Sequence, residues 1–187
     1  MRLEIARGFL TQEECAFLND WAAQGVENGW IDTGMSSRGP SRKHLTSRMY
    51  GHRFTTPEKI LGISKKIREF AGVSSYPLVI EHGRSGIVVS YTYSGGDVFK
   101  HTDPRDVHSL STLRCNVMTQ KPTSGGILTV GDKQVELQAG DLHCYLATEH
   151  YHSVSVVEGD VPRILWMFGA CVSADDWNSG RIKFGLS

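Results

Sequence analysis

The sequence predicts a mainly β fold of the α+β kind, an antiparallel sandwich or barrel with N-terminal helices packed against one sheet. Residues 1–75 carry helical periodicity and capping signals, whereas from about residue 76 the chain becomes β-branched, aromatic and punctuated by glycine. About seven or more short strand candidates follow one another in that second part. The composition is that of a globular chain, with 40% hydrophobic and 21% charged residues among 187. That length is enough for one well-buried core, and no break in composition marks a boundary. Residues 1–187 therefore read as a single domain, with 1–75 as helical support and a basic loop and 76–187 as the β core.

In chain order, Thr11 caps a first helix and Glu14 completes a capping box. Phe17, Leu18 and Trp21 then share a face, and Gly25 is the expected stop. A second helix starts near Thr56 with Pro57 in its first turn, carries Ile60, Ile63, Ile67 and Phe70 as its stripe, and ends at Gly72. Between the helices, residues 34–53 contain Arg38, Arg42, Lys43, Arg48, Arg53, His44 and His52 and no acidic residue. This stretch reads either as a solvated loop or as a lid meeting an acidic partner or substrate. Strand candidates follow at Gly86–Tyr93, Leu113–Thr119, Ile127–Val130, Gln134–Leu137, Leu142–Leu146, Val154–Val157 and Arg163–Val172. Gly131-Asp132 is a hairpin signal, and Ala139-Gly140-Asp141 is a further turn.

Charge and cysteine usage exclude several function classes. Twenty Lys+Arg balance 20 Asp+Glu, which disfavours nucleic-acid backbone binding and a polybasic membrane surface. No apolar run is long enough for a bilayer, and the first residues lack the apolar segment of a signal peptide. Cys15, Cys115, Cys144 and Cys171 are far apart in sequence, a poor pattern for structural zinc. Four reduced thiols in a cytoplasmic protein are the expectation.

Histidine carries the chemistry. His101 and Asp103 are two apart, so on an extended chain they point to one side. An H-x-D tripeptide is common by chance, and its weight comes from what surrounds it. His152, at the start of a strand, is favoured as a third ligand, with His150 as its competitor. Two imidazoles and a carboxylate on one side of an ion leave the other side open, the arrangement of non-haem Fe(II) enzymes that use O₂. Arg163 lies eleven residues after His152 in an otherwise apolar strand. A buried guanidinium there needs a partner and can grip a carboxylate through two N–H groups. His108 and His143 are read as structural or surface residues.

These residues carry a resemblance. The segment from Tyr91 to Asp103 resembles the metal-binding strand of the Fe(II)/2-oxoglutarate dioxygenases, closest to their prolyl-4-hydroxylase-like branch. Gly125-Gly126-Ile127-Leu128, Gly140-Asp141-Leu142, His152-Ser153-Val154, Val156-Val157-Glu158-Gly159 and Arg163 follow in that family's order, and Phe9–Cys15 resembles its N-terminal helix start. The match spans most of the chain, except residues 26–75. It implies a double-stranded β-helix, the cupin-like jelly roll, with helices on one sheet. It implies that His101, Asp103 and His152 bind Fe(II) and are the catalytic centre, and that Arg163 binds the far carboxylate of 2-oxoglutarate. Tyr91 would hydrogen-bond that cosubstrate, with Tyr93 as the fallback. O₂ would be consumed and a C–H bond hydroxylated, with release of succinate and CO₂; ascorbate is a candidate stimulant. Retention of Asp103 implies hydroxylation rather than halogenation.

The chain also departs from the pattern. Met118 stands where relatives often carry a tyrosine for 2-oxoglutarate; Leu165 stands where many have a hydroxyl residue, and this second departure fits the prolyl-hydroxylase-like branch. Arg114 and Asn116 share a strand face with Met118 and, with Tyr93, are read as substrate or cosubstrate contacts; the alternative is that this face meets solvent. The expected substrate is an amino acid, an anionic metabolite or a peptidyl residue. The rival reading is a non-oxidative cupin-like protein binding a metal or a sugar, which has no need of Arg163.

Overall fold

A computed structural model describes residues 1–29, 31, 56–76, 87–104 and 109–185, and the backbone of His44–Arg48. The strands are β1 (Leu3–Ala6), β2 (His44–Arg48), β3 (Val88–Thr92), β4 (Val98–His101), β5 (Ser111–Gln120), β6 (Ser124–Gly125), β7 (Leu128–Val130), β8 (Lys133–Val135), β9 (Leu142–Leu146), β10 (His152–Val154), β11 (Val157–Glu158) and β12 (Arg163–Val172). The helices are α1 (Gln12–Glu27), α2 (Glu58–Phe70) and α3 (Ala174–Asn178). The chain is thus mainly antiparallel β with few helices, as its alternating pattern predicts.

Two sheets carry the site. One is six-stranded, in the order β1-β9-β5-β12-β3-β2, and the other four-stranded, in the order β4-β10-β7-β8. The long strands β5 and β12 pair through the middle of the larger sheet, from Ser111↔Val172 to Gln120↔Ile164, with a register shift between Ile164 and Leu165. Strand alternation then divides the side chains. Leu113, Cys115, Val117, Leu142, Cys144, Leu146, Ile164, Trp166 and Phe168 join Leu18 and Ala22 of α1 and Ile60, Ile63 and Ile67 of α2 in one buried cluster. Met118, Tyr145 and Leu165 pack with Leu128, Val130 and Val154 in a second cluster between the two sheets. The helices therefore cover one face of the large sheet, and the small sheet covers the other.

Most boundaries agree with the sequence expectation, and the exceptions have physical causes. The capping box at α1 forms, with Thr11 accepting from the Glu14 N–H and Glu14 accepting from the Thr11 N–H. Gly25 does not stop α1; it is buried inside the helix, and the left-handed residue that follows the Asn28 cap is Gly29, at φ 71°. Pro57 is the N-cap of α2 rather than a first-turn residue. The hairpin forms as expected, with Val130 opposite Lys133 across Gly131-Asp132. The expected strand Val154–Val157 is broken in two, because the Ser155 N–H and the Val156 carbonyl bond to the Gly126-Ile127 turn instead. Strands β1 and β2 are additions at the two edges of the large sheet, formed by pairing with β9 and β3. β2 lies inside the stretch expected to be a loop; Arg38, Arg42, Lys43, His52 and Arg53 of that stretch, and His108, lie outside the described residues.

Candidate metal centre

The small sheet brings the two histidines together. β4 and β10 are antiparallel neighbours with His101 directly opposite His152, and the imidazole centroids are 4.3 Å apart. Asp103 lies two residues beyond the end of β4, where its N–H donates to the Ala147 carbonyl at 2.9 Å. Its Oδ1 lies 3.6 Å from His101 Nε2 and 4.0 Å from His152 Nε2. One ligand atom from each of the three residues falls within 4.8 Å of the others, close enough to hold one ion.

Backbone carbonyls set the tautomers. His101 Nδ1 lies 2.7 Å from the Phe99 carbonyl, and His152 Nδ1 lies 3.1 Å from the His150 carbonyl. A carbonyl can only accept, so each Nδ1 carries the hydrogen and each Nε2 lone pair is directed to the centre. Burial, opposed by the Asp103 charge, holds His152 down to about 4, so its imidazole is neutral at neutral pH. His150 is not part of the cluster; it supplies the carbonyl that orients His152.

Arg114 is spent on the carboxylate. Its Nε and Nη2 donate to Asp103 Oδ2 at 2.9 and 2.6 Å, which leaves Oδ1 facing the histidines. Burial opposes ionisation of Asp103, yet Arg114, with His101 and His152, holds the carboxyl well below the usual carboxylate range. The inward orientation expected for Arg114 and Asn116 holds. Arg114 is nevertheless engaged with Asp103, so the structure does not present it as an open substrate contact.

Deeper between the sheets lies an isolated cation. Arg163 is the first residue of β12 and is 1% exposed. Its Nε donates to the Gly126 carbonyl at 3.2 Å, and its Nη2 is buried with no partner among the described residues. Burial lowers the guanidinium to about 10, still charged at neutral pH. The Gly125-Gly126 turn is shaped around it. A Cβ on Gly126 would stand 3.0 Å from Arg163 Cδ, and one on Gly125 would run into the Val156 carbonyl.

The two tyrosines are placed differently. Tyr91 lies opposite Ile164, not opposite Arg163, whose partner on β3 is Thr92. Tyr91 therefore packs against the helix-side cluster, and its ring meets Tyr93 in a tilted contact at 5.0 Å. The structure does not bring Tyr91 to the inward face. Tyr93, just beyond β3, is a partly exposed aromatic. Two inward residues escaped sequence reasoning, His143 and Tyr145 of β9. Their rings stack at 6.0 Å, and Tyr145 meets His152 edge-on at 5.3 Å. The signal was present: His143 and Tyr145 alternate with Leu142, Cys144 and Leu146, the inward and outward sides of one buried strand.

The donor set suits a non-haem iron. A hard carboxylate and two imidazoles on one side of an ion fit Fe(II) with open positions. The unpartnered N–H groups of Arg163 fit an anionic group beside it.

Comparison with known proteins bears on the fold. No protein-family model matches the sequence, and no curated protein matches it significantly. Solved structures do. A viral collagen prolyl hydroxylase from Paramecium Bursaria Chlorella virus-1, in its 2OG complex, superposes with a TM-score of 0.66 at 18% identity, over 92% of this chain and 97% of that one. A Pseudomonas putida prolyl-4-hydroxylase gives 0.66 at 15% identity, over 91% and 92%. A Trichoplax adhaerens prolyl hydroxylase, bound to a hypoxia inducible factor oxygen degradation domain peptide fragment, gives 0.65 at 16% identity, over 89% and 83%. The chain therefore shares the fold of these prolyl hydroxylases.

Proposed function

We propose that the protein is an Fe(II)- and 2-oxoglutarate-dependent dioxygenase that hydroxylates a C–H bond of a small molecule or a peptidyl residue. The observation that carries this reading is one juxtaposition: a His-Asp-His cluster at the mouth of the sheets and a buried Arg163 on the inward face behind it, whose Nη2 has no partner among the described residues. We read the two sheets as a double-stranded β-helix and residues 1–187 as one domain. His101, Asp103 and His152 would hold Fe(II), and Arg163 the far carboxylate of 2-oxoglutarate. When bound, the iron and the 2-oxo acid supply the oxidising chemistry, with O₂ consumed and succinate and CO₂ released.

The chain's own residues do the rest. The Phe99 and His150 carbonyls fix the imidazole tautomers, and Arg114 fixes which Asp103 oxygen faces the centre. Arg163 sets the depth and direction of the cosubstrate. Leu128, Val130, Val154 and Leu165 keep water from the inner part of the pocket. His101 is more exposed than His152, at 27% against 11%, and the exposed Phe99 ring stacks on it at 4.9 Å. Substrate would enter on that side. An amino acid, an anionic metabolite or a peptide is compatible with such an entrance, and the peptide-bound neighbour favours keeping peptides in view. No helix among the described residues is long and apolar enough to cross a membrane. Four buried free thiols suit a reducing compartment such as the cytoplasm.

A non-oxidative barrel that binds a metal or a sugar would leave the Arg163 charge unexplained, because an unpaired buried guanidinium is costly. The test is the visible spectrum of the anaerobic protein. Fe(II) followed by 2-oxoglutarate is expected to give a weak charge-transfer band in the visible and to raise the melting temperature. If 2-oxoglutarate changes neither, the dioxygenase reading is wrong.

A further inference from the structure

The inward face of the large sheet holds more unsatisfied polarity than Arg163 alone. Asn116 of β5 and His143 of β9 lie directly opposite each other and are 3% and 0% exposed. Asn116 Nδ2 lies 3.3 Å from His143 Nε2, so Nε2 accepts and the hydrogen of the neutral ring sits on Nδ1. That Nδ1 has no partner among the described residues. Burial and then the Arg163 charge hold His143 down to about 3, so it stays a neutral donor at neutral pH, and the guanidinium is near enough to act on the ring. Arg163 Nη2 is a second buried donor on this face without a partner among the described residues, and Thr92 Oγ1, directly opposite Arg163 on β3, is a third. Unfilled N–H donors on one buried face, with the Arg163 charge acting on the His143 ring, suit one shared acceptor, because an unmet buried donor is costly. The position where relatives often carry a tyrosine is here the apolar Met118, itself 2% exposed.

We propose that His143, held in one tautomer by Asn116, is a second clamp on the far carboxylate of the 2-oxo acid, working beside Arg163 in place of a tyrosine hydroxyl. This rests on the dioxygenase reading and deepens it. His143 becomes a specificity residue, one that favours a 2-oxo acid with a terminal carboxylate over one with a methyl group at that end. The neutral imidazole suits the role, because a second cation beside Arg163 would repel it, whereas a neutral N–H reinforces it.

The test is binding, read apart from turnover. The anaerobic Fe(II)-loaded protein is titrated by calorimetry with 2-oxoglutarate and with 2-oxopentanoate, which has the same chain length and a methyl in place of the far carboxylate. His143→Leu is expected to weaken 2-oxoglutarate about tenfold or more and to leave 2-oxopentanoate within about twofold. His143→Gln, which keeps an N–H near that position and guards against a packing defect, is expected to recover part of the loss. Equal weakening of both acids by His143→Leu, or no weakening of 2-oxoglutarate, overturns the clamp while leaving the dioxygenase reading intact. A wild-type protein that binds neither acid overturns both.

Discussion

The two faces of the large sheet are built from the same strands and could hardly differ more. On the helix side, Cys115, Val117, Cys144, Leu146, Trp166 and Phe168 pack into a largely apolar layer, in which Trp166 Nε1 is a buried polar atom without a partner among the described residues. On the inward side, one residue away each time, stand Arg114, Asn116, His143, Tyr145 and Arg163, several with polar atoms that have no partner. The contrast shows where each kind of free energy is placed. The helix side supplies burial, worth about 25 cal/mol per Å² of apolar surface removed from water. The inward side stores unmet hydrogen-bonding capacity, which destabilises the free protein and is relieved when a ligand fills it. Four measurements would break or sharpen this division.

The largest effect is expected at the metal cluster. His152→Ala should lower Fe(II) affinity and succinate formation at least 100-fold, whereas His150→Ala should leave both within a few-fold. Equilibrium dialysis and succinate assay decide it, and the reverse pattern would exchange the two roles.

Next comes the pair Arg163→Leu and Trp166→Ala. Removing the buried, part-paired charge should stabilise the free protein by about 1 kcal/mol or leave it unchanged, while 2-oxoglutarate affinity falls about 100-fold. Trp166 is fully buried and packs on Trp21 at 5.6 Å. Its truncation should cost about 3–5 kcal/mol with the affinity of the surviving folded protein little changed. Urea unfolding and calorimetry separate the two. If both variants lose stability alike, the two faces are not divided as described.

A smaller effect is expected with pH. His143 titrates near 6.5 in an unfolded chain and is held down to about 3 in the fold, by burial first and Arg163 second. Below about pH 6.5 the unfolded chain takes up a proton that the folded chain refuses, so stability falls with pH toward about 3 and is flat above 7 on this account. His143→Leu should make the decline between pH 6.5 and 4 shallower. Asp103, held low, adds its own loss only below its ordinary pKa of 3.8.

The smallest expected change is at the helix layer's rim. Thr11→Ala should cost about 1 kcal/mol, since it removes the acceptor for the Glu14 N–H, and should not alter ligand binding.

Much of the β core was legible because each long strand carries its own alternation and ends at a glycine turn. Arg163–Val172 was bounded correctly, and Leu142–Leu146 likewise. The helix caps were legible for the same local reason. Strands β1 and β2 were not, because an edge strand is defined by the partner it finds rather than by its own pattern. Tyr91 illustrates the limit at the site. Its spacing from His101 was suggestive, yet the turn at 93–97 between β3 and β4 decides which face it takes, and it takes the helix side. His143 illustrates the converse: nothing near it in sequence marks it as more than a buried strand residue.

By itself the sequence determined the strand and helix periods, the turn positions, the His-x-Asp placement and the presence of one arginine in an apolar strand, all of which are local properties of the chain. Only the tertiary structure decided that His101 stands opposite His152, that Arg114 turns to Asp103, and that His143 and Arg163 come to the same face of the large sheet. Those facts depend on register between strands far apart in sequence, as where Leu3 of β1 meets Tyr145 of β9. Register is set by packing of the whole sheet, which no short stretch of sequence encodes.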